Sequence, residues 1–365
     1  MIKSILKKIK KVLDKQILKI KLKSNKSDII EYDPNYLEKL NKIQPCPTGD
    51  IFANNNIEYK YDLQIIIPCY NVEEYVEDCI LSVLNQKTKY NYVVTLVNDG
   101  STDNTLSILK KYENNEHIQL INQENKGLSG ARNTALKNMN AKYVTFLDSD
   151  DMLCDDSIEC MLDAAFNNPE CDIIEGNYKE LKKGKLIKKN KYKEDSMSKP
   201  TVLYGFPWGK LYKVDLWKNY QFPEGYWFED TILAFIIFYE AKKTFTIKEY
   251  IYIYRIRSGS ITQTSKASNK SIDSFYITEL LMREHNDLKY RINDDYIKQI
   301  KFQFLINMSR TRNCNDDVKK LCLSYMNDLL NKYIDLSLIK NDKFFDSILS
   351  MDYYKTYLFV KYWNI

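Results

Sequence analysis

The segment YVTFLDSDD, residues 143–151, decides the fold, because it joins a strand pattern directly to a cluster of carboxylates. Its first five residues are mostly apolar and rich in β-branched and aromatic side chains, a composition that favours a buried strand. Asp148, Asp150 and Asp151 follow immediately. Like charges this close repel one another. The segment therefore predicts a strand whose end places these carboxylates beside a positive charge.

The sequence on both sides of this segment alternates between strand and helix patterns. Apolar, β-rich runs occupy residues 63–71, 92–101, 118–125, 142–151 and 171–178, and helical patterns occupy 73–86, 101–112, 128–139 and 157–168. This alternation predicts right-handed βαβ units and a mostly parallel sheet flanked by helices, which is an α/β fold.

Polar residues stand at the ends of three of these predicted strands. The first strand ends in Pro68, Tyr70 and Asn71, the second ends in Asp99, and the fourth ends in the aspartates described above. The carboxyl ends of parallel strands meet at one edge of a sheet, and ligands bind there in such folds. The sequence therefore predicts a single binding site at that edge.

The composition is that of a globular protein with room for one large domain and an appendage: 365 residues, 44% hydrophobic and 28% charged. Eight cysteines form no C-x-x-C pair and only two histidines are present. This argues against a zinc site and favours a reducing compartment. No signal peptide and no apolar run of about 18 residues is recognisable, so we expect a cytoplasmic protein.

The first 24 residues carry most of the positive charge. They contain nine lysines and one aspartate, a formal charge of +8, whereas the whole chain has +5. The apolar residues among them recur at helical spacing: Ile2, Ile5, Leu6, Ile9, Val12, Leu13, Ile17 and Ile20. This pattern predicts a basic amphipathic helix. Such a helix either lies on the anionic inner face of the cell membrane or docks on the body of the protein itself.

The predicted regions of the chain are a basic helix at 1–24, a polar connector at 25–60, a catalytic-type domain at 61–262 and a mainly helical C-terminal region at 263–365. Within the domain, residues 179–193 hold eight lysines around Lys183-Gly184-Lys185, which predicts an exposed hairpin. Two interpretations remain open for this hairpin, a solvated surface and an electrostatic contact with phosphate or membrane.

Two carboxylates one residue apart at a strand end, Asp148 and Asp150, suit a hard divalent cation such as Mn²⁺ or Mg²⁺. The cation would offset the repulsion within the cluster. A solvent-exposed acidic turn before the helix at 157 is one alternative. Phosphatases of the haloacid dehalogenase class also place Asp-x-Asp after a strand. Met152 stands where those enzymes usually have Thr or Val, and three βα elements precede the motif here. Both differences argue against the phosphatase class.

Four blocks, in order along the chain, resemble the family 2 inverting glycosyltransferases with the GT-A fold: IIIPCYNVEEYVEDCILSVLNQ, LVNDGSTDNT, NQENKGLSGARNTAL and YVTFLDSDD. The later segments FPWGKLY, FPEGYWFEDT and YRIRSGSIT are similar to the acceptor-side and closing elements of that family. The resemblance covers about residues 62–262. It implies a GT-A fold, Rossmann-like with a mostly parallel central sheet. It also implies transfer of a sugar from a nucleotide-diphosphate donor, commonly UDP-linked, with inversion at the anomeric carbon.

The resemblance also implies which residues bind the donor and the metal. The donor residues are Pro68, Tyr70 and Asn71 at the base and ribose, Asp99 on the nucleoside, Lys126, Gly127 and Arg132 along the nucleotide, Asp148 and Ser149 beside the ribose or metal-bound water, and Arg255, Arg257 and Ser260 over the diphosphate. Asp150 would be the metal ligand, with Asp148 near it, and Asp151 would be a helper or cap. Some relatives use a histidine of the closing region as a further ligand. Neither histidine of this chain lies there, so a third protein ligand stays open.

Inversion in one displacement requires a base on the acceptor hydroxyl. Glu229-Asp230 matches the Glu-Asp pair of the family, and the resemblance implies Asp230 as the base with Glu229 beside it. A helix N-cap is the alternative role for Asp230. Trp208 and Trp227 would bind the acceptor by stacking on sugar rings, or would pack in the core.

These observations predict a metal-assisted glycosyltransferase that adds sugars to a glycan or lipid-linked acceptor in bacterial surface-polysaccharide synthesis, with no nucleic-acid partner. A nucleotidyltransferase is the first alternative, although PCYNVEEY lacks the Gly-rich phosphate loop and the lysine typical of that class. A non-catalytic glycan-binding protein on a degenerate transferase fold is the second. The presence of Asp99, Asp150 and Asp230 argues against it.

Overall fold

The computed structural model describes residues 2–24, 26–257 and 268–362 and separates the chain into two compact units. The sheet unit comprises Thr48–Ser260, and the helical unit combines Met1–Pro47 with Ile261–Ile365. The predicted connector at 25–60 is therefore shared between the two units.

In chain order the strands are β1 (Asn56–Cys69), β2 (Tyr92–Asp99), β3 (Ile118–Gln123), β4 (Asn138–Phe146), β5 (Met152–Leu153), β6 (Ile173–Lys182), β7 (Lys185–Lys189), β8 (Ser196–Ser198), β9 (Lys210–Lys213) and β10 (Thr244–Arg255). The α-helices are α1 (Ile2–Lys23), α2 (Tyr36–Ile43), α3 (Val76–Leu84), α4 (Thr105–Lys110), α5 (Gly127–Leu136), α6 (Ser157–Asn167), α7 (Asp273–Asp287), α8 (Asp294–Arg310), α9 (Asp316–Tyr333), α10 (Lys343–Leu349) and α11 (Tyr353–Tyr362). Short 3-10 helices cover Pro200–Val202, Val214–Trp217, Asn269–Ile272 and Leu336–Ile339. A π-helix covers Leu233–Ile237 and continues as one α-helical turn at Phe238–Glu240.

The strands of the described residues form one sheet in the order β3-β2-β1-β4-β9-β6-β10-β5, with β7 paired to β6 and β8 paired to β10. The ladders β3–β2, β2–β1, β1–β4 and β6–β10 are parallel, and β9 runs antiparallel between β4 and β6. The parallel half follows from the helices α3, α4 and α5, each of which connects two successive strands, as a parallel crossover requires.

Burial explains why the central strands read as unbroken apolar runs. All eight residues of β2 and the last seven of β1 are buried, as expected where helices cover both faces of a parallel sheet. Ile65 and Ile67 of β1 belong to the same apolar cluster as Ile80 of α3. The edge strand β3 has a mixed pattern instead, with exposed and partly exposed positions. The carboxyl ends of β1, β2 and β4 therefore emerge from a rigid, fully packed core.

The helical unit consists of α1, α2 and α7–α11, which confirms the predicted helical character of the C-terminal region. Side-chain caps begin three of its helices. Asn293 accepts from two backbone N–H groups at the start of α8, Asn315 from one at α9, and Asp342 from two at α10. Caps of this kind satisfy N–H groups that have no partner within the helix.

The segment 25–60 differs from the prediction of an irregular connector, because α2 lies within it. Tyr36 and Leu40 stand one helical turn apart and are both buried, and the Tyr36 ring lies 4.9 Å from the ring of Tyr325 in α9. Only two apolar positions carry this burial, which is why the sequence pattern did not reveal a helix.

The helix α1 (Ile2–Lys23) occupies the segment predicted as a basic amphipathic helix. Leu13, Ile17 and Ile20, spaced to share one face of the helix, are 51%, 37% and 70% exposed. Lys21 of the same helix lies over the ring of Tyr362, 5.4 Å from its centroid. Across the described ranges, no helix combines the length and apolar character that crossing a bilayer requires.

Candidate active site

The loops after β1, β2 and β4 meet at the carboxyl edge of the sheet, as the sequence predicts. Cys69 at the end of β1 lies in register with Asn98 of β2. The backbone N–H of Thr102 after β2 donates to Asn71 Oδ1 after β1 at 2.8 Å. Beyond β4, the N–H of Leu147 still donates to the carbonyl of Ile66 at 3.0 Å. The chain therefore leaves the sheet at Asp148.

Asp99, the last residue of β2, is buried and held in a fixed orientation. Its Oδ1 accepts from the Gln123 side-chain amide at 2.7 Å and from the Lys126 backbone N–H at 2.8 Å. The Gln123 amide oxygen accepts in turn from the Thr134 hydroxyl at 2.6 Å. No protein donor contacts Oδ2 among the described hydrogen bonds. This oxygen is therefore the one suited to accept a hydrogen bond from a ligand.

The three residues predicted at the base and ribose differ in exposure. Tyr70 is 48% exposed and Asn71 is also exposed. Asn71 has a φ of +49°, a left-handed conformation that asparagine tolerates better than most residues. Pro68 is buried within β1 in register with Val97, and a nucleotide contact stays a prediction for it. It lies two positions before Tyr70, the first exposed residue at this edge.

Lys126 and Gly127, predicted along the nucleotide, lie exposed at the start of α5. Gly127 has a φ of +75°, and no atom lies within 4 Å of the place where a Cβ would stand. Glycine adopts this conformation without strain, and the open space leaves the backbone accessible. A contact with the nucleotide stays a prediction for both residues.

The aspartates after β4 form a tight turn in which Asp151 is the structural member. The Asp151 N–H donates to the Asp148 carbonyl at 2.9 Å. Its carboxylate is buried and accepts from the Tyr252 hydroxyl at 2.8 Å and from the Arg255 N–H at 2.6 Å. Burial, reinforced by the charges of Asp148 and Asp150, raises the pKa of Asp151 well above its usual range. Asp151 thus anchors the turn, in line with the predicted helper role.

Arg132 of α5 joins the turn after β4 to the Glu229-Asp230 loop. Its side chain is 2% exposed, its Nη2 donates to Asp148 Oδ1 at 2.8 Å, and its Nη1 donates to Glu229 Oε1 at 2.6 Å. Burial by itself would lower the pKa of Arg132, but the charges of Asp148 and Glu229 outweigh it and raise that pKa. Arg132 thus lies on the buried face of α5 and binds two carboxylates of the protein, while a contact with the nucleotide stays a prediction.

The backbone around Glu229 and Asp230 is unusual. Phe228, just before the pair, has a φ of +68°, which costs about 1–3 kcal/mol for a bulky residue. The π-helix Leu233–Ile237 begins three residues after Asp230. Positive φ values and π-bulges are concentrated at functional sites. Asp230 is partly exposed, whereas the Glu229 carboxylate is engaged by Arg132.

Both arginines of the predicted closing segment already contact the aspartate turn. Arg257 Nε lies 2.5 Å from Asp150 Oδ2, and Arg255 Nε donates to the Asp150 carbonyl at 2.9 Å. The Nη2 of Arg255 also contacts Asp78 at 2.9 Å. Each guanidinium carbon lies 5.3 Å from the centroid of the Tyr75 ring. Ser260, the third predicted residue of this segment, lies outside the described residues.

The donor atoms at this edge fit a hard divalent cation. Arg132 and Arg257 each engage one carboxylate oxygen, of Asp148 and Asp150 respectively. The second oxygen of each carboxylate has no protein donor among the described contacts. Burial raises the pKa of Asp148, Arg132 opposes this, and Asp150 reinforces it. Within the described ranges no cluster of three or more His, Cys, Asp or Glu side chains forms a cage. Asp148 and Asp150 would therefore need phosphate oxygens and water to complete the coordination of a cation, an arrangement typical of Mg²⁺.

The two tryptophans predicted at the acceptor differ. Trp208 corrects the prediction of sugar stacking: it is 7% exposed, and its ring stacks on Phe206 at 3.7 Å and on Tyr252 at 4.3 Å between centroids. Core packing, the alternative interpretation, accounts for these contacts. Trp227 is partly exposed, so an acceptor contact stays a prediction for it. Ser149, predicted beside the donor, is buried.

A buried ion pair that interacts electrostatically with Asp230 was not predicted from the sequence. Lys210 Nζ lies 2.6 Å from Glu175 Oε1, with both side chains 0–1% exposed, and the Tyr192 hydroxyl donates to the same carboxylate. Burial lowers the pKa of Lys210, while Glu175 and Asp230 oppose this shift. The signal was present in FPWGKLY and CDIIEGNY, where Lys210 and Glu175 are charged residues within apolar segments.

Comparison with known proteins connects this geometry to a family. The model of "Glycosyl transferase family 2" matches residues 64–220. "Glycosyltransferase GlyA" of Streptococcus pneumoniae serotype 4 is 34% identical over 58% of this chain and 33% of its own length. "Uncharacterized glycosyltransferase EpsJ" of Bacillus subtilis (strain 168) is 30% identical over 71% of this chain and 81% of its own length. The chain thus spans about a third of the first relative and most of the second.

A solved structure shows the same fold. S. aureus TarS 1–349 in complex with UDP-GlcNAc superposes with a TM-score of 0.69 at 22% identity, over 82% of this chain and 90% of that one. The match confirms the predicted architecture, a mostly parallel central sheet flanked by helices with a helical C-terminal region.

Proposed function

Because the chain belongs to glycosyl transferase family 2, we propose that it transfers a sugar from a nucleoside diphosphate donor to a glycan or lipid-linked acceptor, with inversion at the anomeric carbon. A UDP-sugar is the expected donor. Surface-polysaccharide synthesis is the expected context, since one relative is the "Minor teichoic acid biosynthesis protein GgaB" of Bacillus subtilis, 33% identical over 61% of this chain and 26% of its own length.

The bridge formed by Arg132 is the observation that carries this proposal. It ties Asp148, at the donor edge of the sheet, to Glu229, the neighbour of Asp230. A donor-side carboxylate and the loop of the expected base are therefore held by one buried side chain. A single displacement requires such a fixed relation, because the acceptor oxygen must approach the anomeric carbon opposite the leaving group.

The remaining residues take complementary roles in this proposal. Asp99 Oδ2 accepts a hydrogen bond from the nucleoside, and Arg255 and Arg257 supply positive charge toward the diphosphate. Asp230 takes the proton of the acceptor hydroxyl as the bond from the acceptor oxygen to the anomeric carbon forms. The bond from that carbon to the diphosphate oxygen breaks, and its electron pair leaves with the nucleoside diphosphate. A divalent cation held by Asp148 and Asp150 would neutralise charge on the leaving group.

A screen of nucleotide sugars tests the proposed function. The full chain is incubated with each donor and Mn²⁺ without acceptor, and the release of nucleoside diphosphate by slow hydrolysis is measured. We expect release from at least one UDP-sugar. Pyrophosphate release from nucleoside triphosphates and sugar phosphates would indicate a nucleotidyltransferase instead, and no release from any donor would support a non-catalytic protein.

Replacing Asp150 by alanine should abolish the Mn²⁺-dependent part of UDP binding. The variant removes a carboxylate that would hold the cation, so the diphosphate loses its counter-charge. Calorimetric titration of UDP with and without Mn²⁺ measures this difference directly.

Asp155→Ala is the matched control, because it removes an exposed carboxylate four residues from Asp151 and should leave the Mn²⁺ effect unchanged. Thermal melting of both variants checks that they fold. An unchanged Mn²⁺-dependent affinity in Asp150→Ala would exclude Asp150 as a metal ligand.

The exposed stripe of α1 is the proposed contact with an anionic membrane surface. Replacing Leu13 and Ile20 by glutamate should release the protein from vesicles that contain phosphatidylglycerol, because both side chains lie on the exposed face. Deleting residues 1–24 should have the same effect, and high salt should mimic it through screening of the lysines.

Sedimentation with vesicles measures this binding, and neutral vesicles serve as the control for charge. The helix also contacts the body of the helical unit through Lys21 and Tyr362. The double substitution therefore separates membrane contact from the folding of the unit. Equal sedimentation of the wild type and both variants would show that α1 only docks on the protein.

A further inference from the structure

We infer that the basic hairpin, residues 179–193, binds the phosphate groups of a polyanionic acceptor and so defines the chemical class of acceptor that this protein takes. The bound polymer is an acceptor only if the proposed glycosyl transfer holds. The binding of phosphate polymer by the hairpin is itself independent of catalysis.

The geometry of the hairpin opposes lysines to one another. β6 and β7 pair in antiparallel register around a turn at Lys183-Gly184, with Lys179 opposite Lys188 and Lys182 opposite Lys185. Like charges directly opposite in neighbouring strands destabilise a sheet. Because alternate residues face opposite sides of a strand, each face of the hairpin carries one of these pairs. An anionic ligand would relieve the repulsion on either face.

Six of the eight hairpin lysines form no ion pair within the described residues, whereas several lysines elsewhere in the sheet unit do. Lys89, Lys142 and Lys213 each lie within 3.2 Å of an aspartate. In the hairpin, Lys189 pairs with Glu180, and Lys191 lies 4.0 Å from Glu175.

The exposed tip of the hairpin shows this most clearly. Within the part of the chain that the structure describes, no ion pair involves Lys182, Lys183 or Lys185, and all three are exposed. The tip is therefore a surface of uncompensated positive charge.

The hairpin rises from the predicted diphosphate end of the site. Leu181 of β6 lies in register with Arg255 of β10, and the Ile256 N–H donates to the Leu181 carbonyl at 2.9 Å. Arg255 contacts the carbonyl of Asp150. The tip at Gly184 is three residues further along, roughly 10 Å at the rise of a strand. An acceptor chain longer than a few sugars would therefore pass within reach of the lysines.

The type of side chain suits phosphate groups that follow one another closely along a polymer. The hairpin contains eight lysines and no arginine. Lysine binds phosphate as a point charge on a flexible stem, so neighbouring lysines adapt to the spacing of the phosphates, whereas the planar fork of arginine binds carboxylate and phosphate alike through two parallel hydrogen bonds. A polyphosphate also places its charges closer together than a carboxylate polymer does. The ring of Tyr250 makes cation–π contacts with two of the lysines, because Nζ of Lys179 and Nζ of Lys188 lie 5.6 and 5.1 Å from its centroid.

A charge-matched pair of variants tests the inference. The triple substitution Lys182→Gln, Lys183→Gln, Lys185→Gln removes the tip charges. The control replaces Lys87, Lys110 and Lys137, exposed lysines at the ends of α3, α4 and α5, by glutamine. These helix ends lie at the opposite edge of the parallel sheet from the strand carboxyl ends. Each triple variant loses three positive charges, so the two variants differ only in where the charge is lost.

Binding of long-chain inorganic polyphosphate by the full chain is measured by fluorescence anisotropy at low and high salt. We expect the hairpin triple variant to bind about tenfold or more weakly at low salt, and the control to stay near wild type. Polyglutamate of equal charge should bind more weakly than polyphosphate to the wild type. The hairpin variant should melt at or above the wild-type temperature, because the opposed lysines are gone.

The outcomes separate this inference from the proposed function. Equal polyphosphate affinity of the hairpin and control variants would overturn it, as would equal binding of polyglutamate and polyphosphate. Loss of binding to anionic vesicles without loss of polyphosphate binding would assign the hairpin to a membrane surface instead. Donor hydrolysis without acceptor should be unchanged in the hairpin variant. If the wild type hydrolysed no donor, glycosyl transfer would be refuted. The comparison of polyphosphate binding would still decide whether the hairpin binds phosphate polymers.

Discussion

Replacing Asp230 by asparagine should lower sugar transfer by about 10²- to 10⁴-fold, the usual contribution of a general base. The asparagine keeps the size of the side chain and much of its hydrogen bonding, so a capping role would survive in part. It cannot take a proton from the acceptor hydroxyl. The charge of Asp230 matters most in the transition state, so affinity for UDP and Mn²⁺ should change little.

Three measurements on this variant distinguish the possible roles. Initial rates of transfer give the catalytic loss, calorimetry gives the affinity for UDP, and thermal melting gives the stability. Asp215→Asn, at an exposed aspartate of the same unit, is the matched control and should be active. Near-normal turnover of Asp230→Asn would remove it as the base, loss of UDP binding would move it to the donor side, and unfolding would favour the capping role.

Replacing Arg132 by methionine should destabilise the protein by about 3–5 kcal/mol, the cost of breaking a buried ion pair by removing one partner. Methionine fills much of the space but leaves the carboxylates of Asp148 and Glu229 without their shared counter-charge. Arg132→Lys should recover only part of the loss, because a single ammonium group cannot reproduce two hydrogen bonds from a planar fork.

Urea denaturation of the full chain measures this change. Lys142→Met breaks the exposed pair with Asp62 and should cost no more than about 1 kcal/mol. Combining Arg132→Met with Glu229→Gln should restore part of the stability, because one uncompensated charge is removed with its partner. An Arg132→Met variant as stable as the Lys142→Met control would show that the bridge is not a stabilising contact.

The order of the elements and the position of the site could be predicted from the sequence. The apolar runs of the central strands are local patterns, and helices between them allow only a parallel crossover. Asp99 and Asp148 follow those runs directly, so parallel topology alone brings them to one edge. The N-terminal helix and the lysine hairpin are likewise local features, set by spacing within about twenty residues.

The partners of the charged side chains could not be predicted, because they depend on contacts between distant parts of the chain. Arg132 and Glu229 are 97 positions apart, and Arg257 and Asp150 are 107 apart. No local pattern relates such residues. The same holds for Trp208, whose burial arises because Tyr252 of β10 packs on its ring.

Sequence by itself thus determined which side chains lie at the carboxyl edge of the sheet, since this follows from the period of each strand and from the handedness of its connections. Only the tertiary structure decided what each of them contacts. A buried arginine is stable only where opposite charges pair with it, and the fold supplied those charges from the loop after β4 and from the Glu229-Asp230 loop. Arg132 is therefore a link between carboxylates, a role that its motif alone did not reveal.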